Sequence, residues 1–158
     1  MTQENIIRLL RDPVAQALLN SKIPARVAYT GLDGSPRVVP IWFHWDGERF
    51  VMGSAPASPK VKALARNPKV ALTIDEDSYP PKVLLVRGNA QVELIEGVVP
   101  EYGEAARRYL GEEQGSAWEE QAGGMFKQMA RIAIAPEWVK ILDFETRFPK
   151  AIEKAVGE

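Results

Sequence analysis

The chain has 158 residues, a length that fits one domain, and its 46% hydrophobic and 26% charged residues are enough to build and solubilise a real core. Twenty Lys and Arg face twenty-one Asp and Glu, a formal net charge of -1 that argues against nucleic acid or a membrane surface as partner. With no cysteine and one histidine, His44, the sequence excludes disulfides, thiolate nucleophiles, zinc clusters and iron–sulfur sites, and no metal site is expected.

The N-terminus reads as two short helices. Ile6, Ile7 and Leu10 share one helical face; Asp12-Pro13 then offers a cap and a first-turn proline, and Val14, Ala17 and Leu18 continue the apolar stripe to Lys22–Pro24. Charges between Met1 and Asp12 stand where a signal peptide would be apolar. The longest apolar runs, such as Val38 to Phe43, are far too short to span a bilayer, so a cytoplasmic protein is expected.

From Ala25 the pattern turns to strands. Ala25 to Gly31, Pro36 to Trp45 and Arg49 to Gly53 are separated by Asp33-Gly34 and Asp46-Gly47, turn dipeptides that tolerate positive φ and join antiparallel hairpins. Pro36 and Pro40 cannot donate to a ladder, so the second strand is expected to be irregular or to face a ligand. Ser58-Pro59 starts a helix with Val61, Leu64 and Ala65 on its buried face, stopped by Asn67-Pro68. Lys69 to Ile74 is a strand; Asp75, Glu76 and Asp77 lead a polar loop read as a solvated turn. Val83 to Ile95 is a long strand with Gly88 as its expected bulge.

Pro100 to Leu110 carries apolar residues at helical spacing (Tyr102, Ala105, Ala106, Tyr109, Leu110), with Gly111 as its C-terminal glycine. Ser116 and Glu119 form a capping-box pattern for a further helix bearing Trp118, Ala122, Met125, Phe126 and Met129, which Gly123-Gly124 weakens. Arg131 to Phe144 returns to strand, interrupted at Pro136, and a short helix or coil ends the chain. No βαβ rhythm or linker appears. The expectation is a mainly β (α+β) chain, a single domain built as a six-stranded antiparallel barrel with flanking helices and a helical insert at 98–130.

Phosphate-loop, dinucleotide-binding, zinc-protease and serine-elbow motifs are all missing. What the overall charge balance hides is an interval without acids: between Glu48 and Asp75 lie Arg49, Lys60, Lys62, Arg66 and Lys69. A helix start offers unpaired N–H groups and the positive end of the backbone dipole, so Ser58 with Lys60 in the first turn suits an anion such as phosphate. An ordinary Ser-Pro helix start with a solvated lysine fits the same residues. Arg37 opens the apolar strand Val38-Val39-Pro40-Ile41-Trp42, which suits a planar ligand; a solvated strand-end arginine is the alternative. His44 is read as a packing or hydrogen-bonding residue, and the four tryptophans and the Met125, Phe126, Met129 stripe as core or subunit interface.

The run GSPRVVPIWFHWDGERFVMGSAPASPKVKALARNPKVALTID (34–75) is similar to the core of the pyridoxamine 5'-phosphate oxidase-like, FMN-binding split-barrel flavoproteins. It shares an Arg-led apolar strand, a short hairpin, then Ser-x-Lys opening a helix that ends in Asn-Pro-x-Val. MARIAIAPEWVKILDFETRFP (129–149) resembles the closing strands of the same family, including the subgroup that uses FMN or the deazaflavin F420, and the likeness covers most of 22–148. The resemblance implies a split barrel, FMN (alternatively F420) as cofactor, and a homodimer with two flavins at the interface acting on a small organic substrate. It implies that Arg37 and Lys60 contact the cofactor phosphate, that Ser58 and Pro59 line that pocket, that Val38, Val39, Pro40, Ile41 and Trp42 run along the ring and ribityl chain, and that Gly53 and Ser54 lie beside the phosphate end. A flavin-binding protein without turnover, a carrier or electron-transfer partner, is the alternative. Three departures stand out: Pro59-Lys60 where the oxidase has Arg-Lys, Leu142 where a tryptophan is common, and Arg147-Phe148-Pro149 in place of the oxidase's C-terminal Arg-x-His. No catalytic side chain is assigned.

Overall fold

A computed structural model of the chain describes residues 1–157. Two short helices open it, α1 (Gln3–Leu10) and α2 (Pro13–Leu19). Thr2 caps the first, its hydroxyl accepting from Asn5 N at 3.3 Å, and Asp12 caps the second, accepting from Val14 N at 2.9 Å. Ile6, Leu10, Ala15, Leu18 and Leu19 are buried, so both helices are held by their apolar faces.

Then follow β1 (Ala25–Thr30), β2 (Pro36–Ile41), β3 (His44–Trp45), β4 (Phe50–Ser54), α3 (Pro59–Arg66), β5 (Lys69–Asp75) and β6 (Lys82–Glu96). The insert is α4 (Pro100–Leu110) and α5 (Glu112–Met125), and β7 (Gln128–Asp143) and α6 (Lys150–Val156) close the chain. The seven strands form one antiparallel sheet in the order β2-β1-β5-β6-β7-β4-β3. Its two edges, β2 and β3, are joined only by Trp42 and Phe43. Two residues reach at most about 10 Å between the strand ends, so the sheet must curl until its edges nearly meet without pairing. That is the split barrel.

Seven strands stand where six were expected, because the run 36–45 divides. Phe43 turns into the core, fully buried, and Trp42 turns under the insert, stacked on Tyr109 with ring centroids 5.0 Å apart. The strand cannot continue through two side chains committed to different packing surfaces. Two further expectations change. Helix α5 starts at Glu112 and not at a Ser116 cap: Gly111, at φ +90°, ends α4 and opens α5 in one residue, and Glu112 and Glu113 suit the positive end of the new dipole. Pro136 does not interrupt β7: Arg87 pairs with Trp138 and Gly88 with Pro136, which leaves Glu137 as the extra residue of a bulge on β7 beside the proline. Gly88, the expected bulge residue, lies on the strand opposite that bulge, and a Cβ there would strike the Ala135 carbonyl.

The insert covers β4 and the crossing between the edges. Tyr102 packs over Gly53, where a Cβ would lie 3.0 Å from the tyrosine. Arg108 donates to Phe43 O at 2.6 Å and Ser21 O at 3.0 Å, and Tyr109 OH donates to Ile23 O at 3.0 Å. Trp118 and Met129, from the apolar residues of this region, face inward (Trp118 Nε1 donates to Tyr102 OH at 2.7 Å), whereas Met125 is exposed.

Candidate functional site

The hairpin β1–β2 and helix α3 meet on the outer face of the sheet. Tyr29, Gly31, Leu32, Asp33, Arg37, Pro59 and Ala63 line a shallow cleft of about 270 Å³ between them. Arg37 faces Tyr29 across the ladder, and its Nη2 donates to Asp33 Oδ2 at 2.9 Å. Asp33 Oδ1 accepts from Ser35 N at 3.0 Å; that bond first, then the guanidinium, holds the Asp33 carboxyl below its ordinary pKa. Gly31 makes room for the pair, since a Cβ there would come within 3.2 Å of Arg37 Cζ.

Helix α3 starts as expected, with Ser58 as extended N-cap residue and Pro59 in the first turn. The Ser58 hydroxyl does not cap the helix; it accepts from Lys60 Nζ at 2.9 Å. That is the one side-chain bond Lys60 makes among the described residues, and no carboxylate there pairs with it. Burial alone lowers the Lys60 pKa from its ordinary value. A partly desolvated ammonium without a counter-ion, at the positive end of a helix, is a place where an anion gains more than it would in water.

The expected site residues therefore fall into groups. Arg37 and Pro59 meet in the cleft; Ser58 and Lys60 continue the same helix terminus beside it. On β2, Val38 is 65% exposed and Pro40 is exposed, while Val39 and Ile41 are half-buried. Since β2 is an edge strand, half of its backbone groups have no strand partner. Trp42 packs against α4, Gly53 lies beneath Tyr102 and beside Met129, and Ser54 is buried where β4 leaves for α3. These three are not in the cleft of the single chain.

Asp33, Gly31 and Tyr29 belong to the cleft and were read only as strand and turn. Only the separation of four residues between Asp33 and Arg37 hints at their ion pair, and only once the turn is known to fold back. His44 lies elsewhere, in a pocket of about 200 Å³ with Leu19, Asn20, Trp45, Glu104 and Arg108. A larger cavity, about 850 Å³, opens at the far end of β4 and contains none of the expected residues.

Residues 12–143 match the family profile described as pyridoxamine 5'-phosphate oxidase. No curated protein matches the chain by sequence. Several solved structures share its fold. A conserved hypothetical protein from Mycobacterium tuberculosis superposes with a TM-score of 0.62 at 19% identity, over 91% of this chain and 86% of its own. HutZ, the heme storage protein from Vibrio cholerae, gives 0.61 at 17% identity over 84% and 93%. An F420 reductase gives 0.59 at 23% identity over 79% and 94%.

Proposed function

The chain belongs to the pyridoxamine 5'-phosphate oxidase family, and from that membership we propose that it is a flavin-dependent oxidoreductase, with FMN as cofactor and F420 as the alternative, acting on a small organic substrate. The observation that carries the reading is the convergence of Arg37 with the α3 terminus, where Lys60 is half-buried and has no carboxylate partner. The donors present, a guanidinium, an ammonium and a hydroxyl, fit a phosphate monoester. A flavin, when bound, supplies hydride or electron transfer itself, so the chain needs no nucleophile of its own.

The residues of the chain would bind and orient. Arg37 and Lys60 hold the phosphate, with Ser58 beside them, and the outward edge of β2 from Val38 to Ile41 lies along the ring system. Pro40 removes one donor from that edge, leaving an apolar stretch for a flat ligand. A cleft of about 270 Å³ is smaller than the roughly 300–1,000 Å³ that encloses a ligand of this size. A second copy is therefore proposed to complete each site, covering the exposed Val38 edge and forming a homodimer. Heme fits the cleft poorly, because its lining holds no imidazole and the chain's one histidine lies in another pocket.

Purified protein, stripped and titrated separately with FMN and F420, tests this reading. Saturable binding of one of them, at one equivalent per chain, with reduction of the bound cofactor by NADH or dithionite and reoxidation by an organic acceptor, is the expected outcome. No binding of either would refute it. Binding without turnover would favour a flavin carrier.

A further inference from the structure

A larger cavity than the Arg37 cleft lies away from it. Helices α1 and α2, the β3–β4 turn and the Pro136 bulge of β7 enclose about 850 Å³, within the volume range of small-molecule sites. It shares no lining residue with the Arg37 cleft. The five residues of β4 separate its Arg49 from the connection to α3, about 16 Å along the strand.

Its walls are of two kinds. Ile6, Ile7 and Leu10 from α1, the Trp45 indole and Pro136 make an apolar side. Ile7 is 40% exposed on a helix whose Ile6 and Leu10 are buried, so apolar surface is left open to the cavity. The polar side holds Gln3, Arg11, Gln16, Asp46, Glu48 and Arg49. Gln16 is occupied, its Nε2 donating to Leu10 O at 2.7 Å, and Asp46 Oδ1 accepts from Glu48 N at 2.8 Å and Arg49 N at 2.7 Å.

Neither arginine makes a side-chain hydrogen bond among the described residues, and the one ion pair is Arg49 with Asp46. Arg11 has no ion pair or side-chain hydrogen bond among the described residues. The one carboxylate near Arg49 is Asp46, with Oδ2 3.4 Å from Nε and outside hydrogen-bond geometry, so the Arg49 Nε is buried and unpartnered. The two cations balance Asp46 and Glu48 in formal charge, but Asp46 already spends one oxygen on its own turn. The buried Arg49 Nε thus lacks an acceptor beside an aromatic ring and an aliphatic wall, and the exposed Arg11 guanidinium is held by no protein side chain among the described residues.

We propose that this cavity is a second ligand site, separate from the flavin cleft, for a small aromatic anion: a ring or fused ring system against Trp45, Ile7 and Pro136, and a carboxylate or sulfonate on Arg11 and Arg49. Capping of α1 and α2 by Thr2 and Asp12 holds the helical wall in place, so the site is largely preformed.

The probe is 1-anilinonaphthalene-8-sulfonate, titrated into the intact, flavin-loaded protein with Trp excitation and dye emission. One equivalent is expected to bind, with energy transfer reduced in Trp45→Phe. Arg11→Ala, an exposed change on α1, and Arg49→Gln should each weaken binding about tenfold, the scale of one lost charge-assisted hydrogen bond. Lys62→Ala, an exposed change on α3 outside both the cavity and the cleft, should leave dye binding unchanged. Absence of stoichiometric binding, affinity equal to the parent's in both arginine variants, or an equal loss in Lys62→Ala would overturn the proposal. Because Arg11 makes no contact that holds the fold, its variant reads the site even if Arg49→Gln is unstable.

Discussion

Replacing Lys60 by Ala separates binding from stability, because the structure predicts opposite effects on the two. The Lys60 ammonium is half-buried, its pKa is lowered by desolvation, and a serine hydroxyl is its one side-chain partner among the described residues. A lysine whose folded pKa is depressed opposes folding while it is charged, and the penalty is relieved as pH rises through the folded value. At pH 7 the penalty is present in full, so the alanine variant should melt at the parent temperature or above it, less a small loss of stem packing. Flavin binding should move the other way. A charge-assisted bond to a phosphate oxygen contributes about 1.5–3 kcal/mol, so FMN affinity should fall roughly 10- to 100-fold. Quenching of flavin fluorescence measures it. Riboflavin, which has no phosphate, is the control: its weaker affinity should be the same in parent and variant. An equal loss for FMN and riboflavin, or a lowered melting temperature without ligand, would falsify the assignment of Lys60 to the phosphate.

Three further outcomes follow from particular contacts. Asp33→Asn frees Arg37 from an exposed ion pair of about 0.2–1 kcal/mol, so FMN should bind up to about fivefold tighter; weaker binding in titration would place Arg37 outside the site. Gly115→Ala drives a methyl into the Arg107 backbone where α5 crosses α4, and urea unfolding should show a loss of about 1–3 kcal/mol. Asp12→Ala removes both the α2 cap and the partner of Arg147, whose Nη1 lies 2.8 Å away, for a loss of about 1–2 kcal/mol at pH 7. Arg147 chiefly lowers the Asp12 pKa, so this stability is present above the unfolded carboxyl pKa and lost as pH falls through the folded one. Melting curves of parent and variant should therefore approach each other as pH falls below the ordinary carboxyl range, and a constant gap would contradict the pairing.

Local chemistry made most of the elements legible. Asp12-Pro13, Ser58-Pro59 and Asn67-Pro68 marked helix ends within a residue, and Gly34 and Gly47 take the positive φ that their Asp-Gly turns require. What stayed hidden depends on partners distant in sequence. Pro136 breaks a strand by any local rule, yet β7 runs through it because a bulge at Glu137 sits beside it and Gly88, far along the chain, pairs opposite without a side chain to meet the Ala135 carbonyl. Ser116 with Glu119 is a good capping box, yet Gly111 starts the helix a turn earlier because Gly115 must face the Arg107 backbone. The split of 36–45 into two strands follows from where the insert packs, which Trp42 and Tyr109 do not announce separately.

The site shows the same division more sharply. The cation-rich interval singled out α3, and spacing alone could place Lys60 in its first turn; whether that lysine is solvated is a question of burial, which no spacing answers. In the structure the ammonium is half-buried, and Ser58 is its one side-chain partner among the described residues. Arg37 goes the other way. It is where an apolar strand led by arginine should put it, but it is exposed and satisfied by Asp33, so its availability to an anion is a competition that the weak exposed pair can lose. In the proposed site the two cations would contribute by different routes, Lys60 through a desolvation penalty already present and Arg37 through an exchange of partners. Salt should tell them apart: raising ionic strength screens the exposed Arg37–Asp33 pair first and leaves the half-buried lysine largely unscreened.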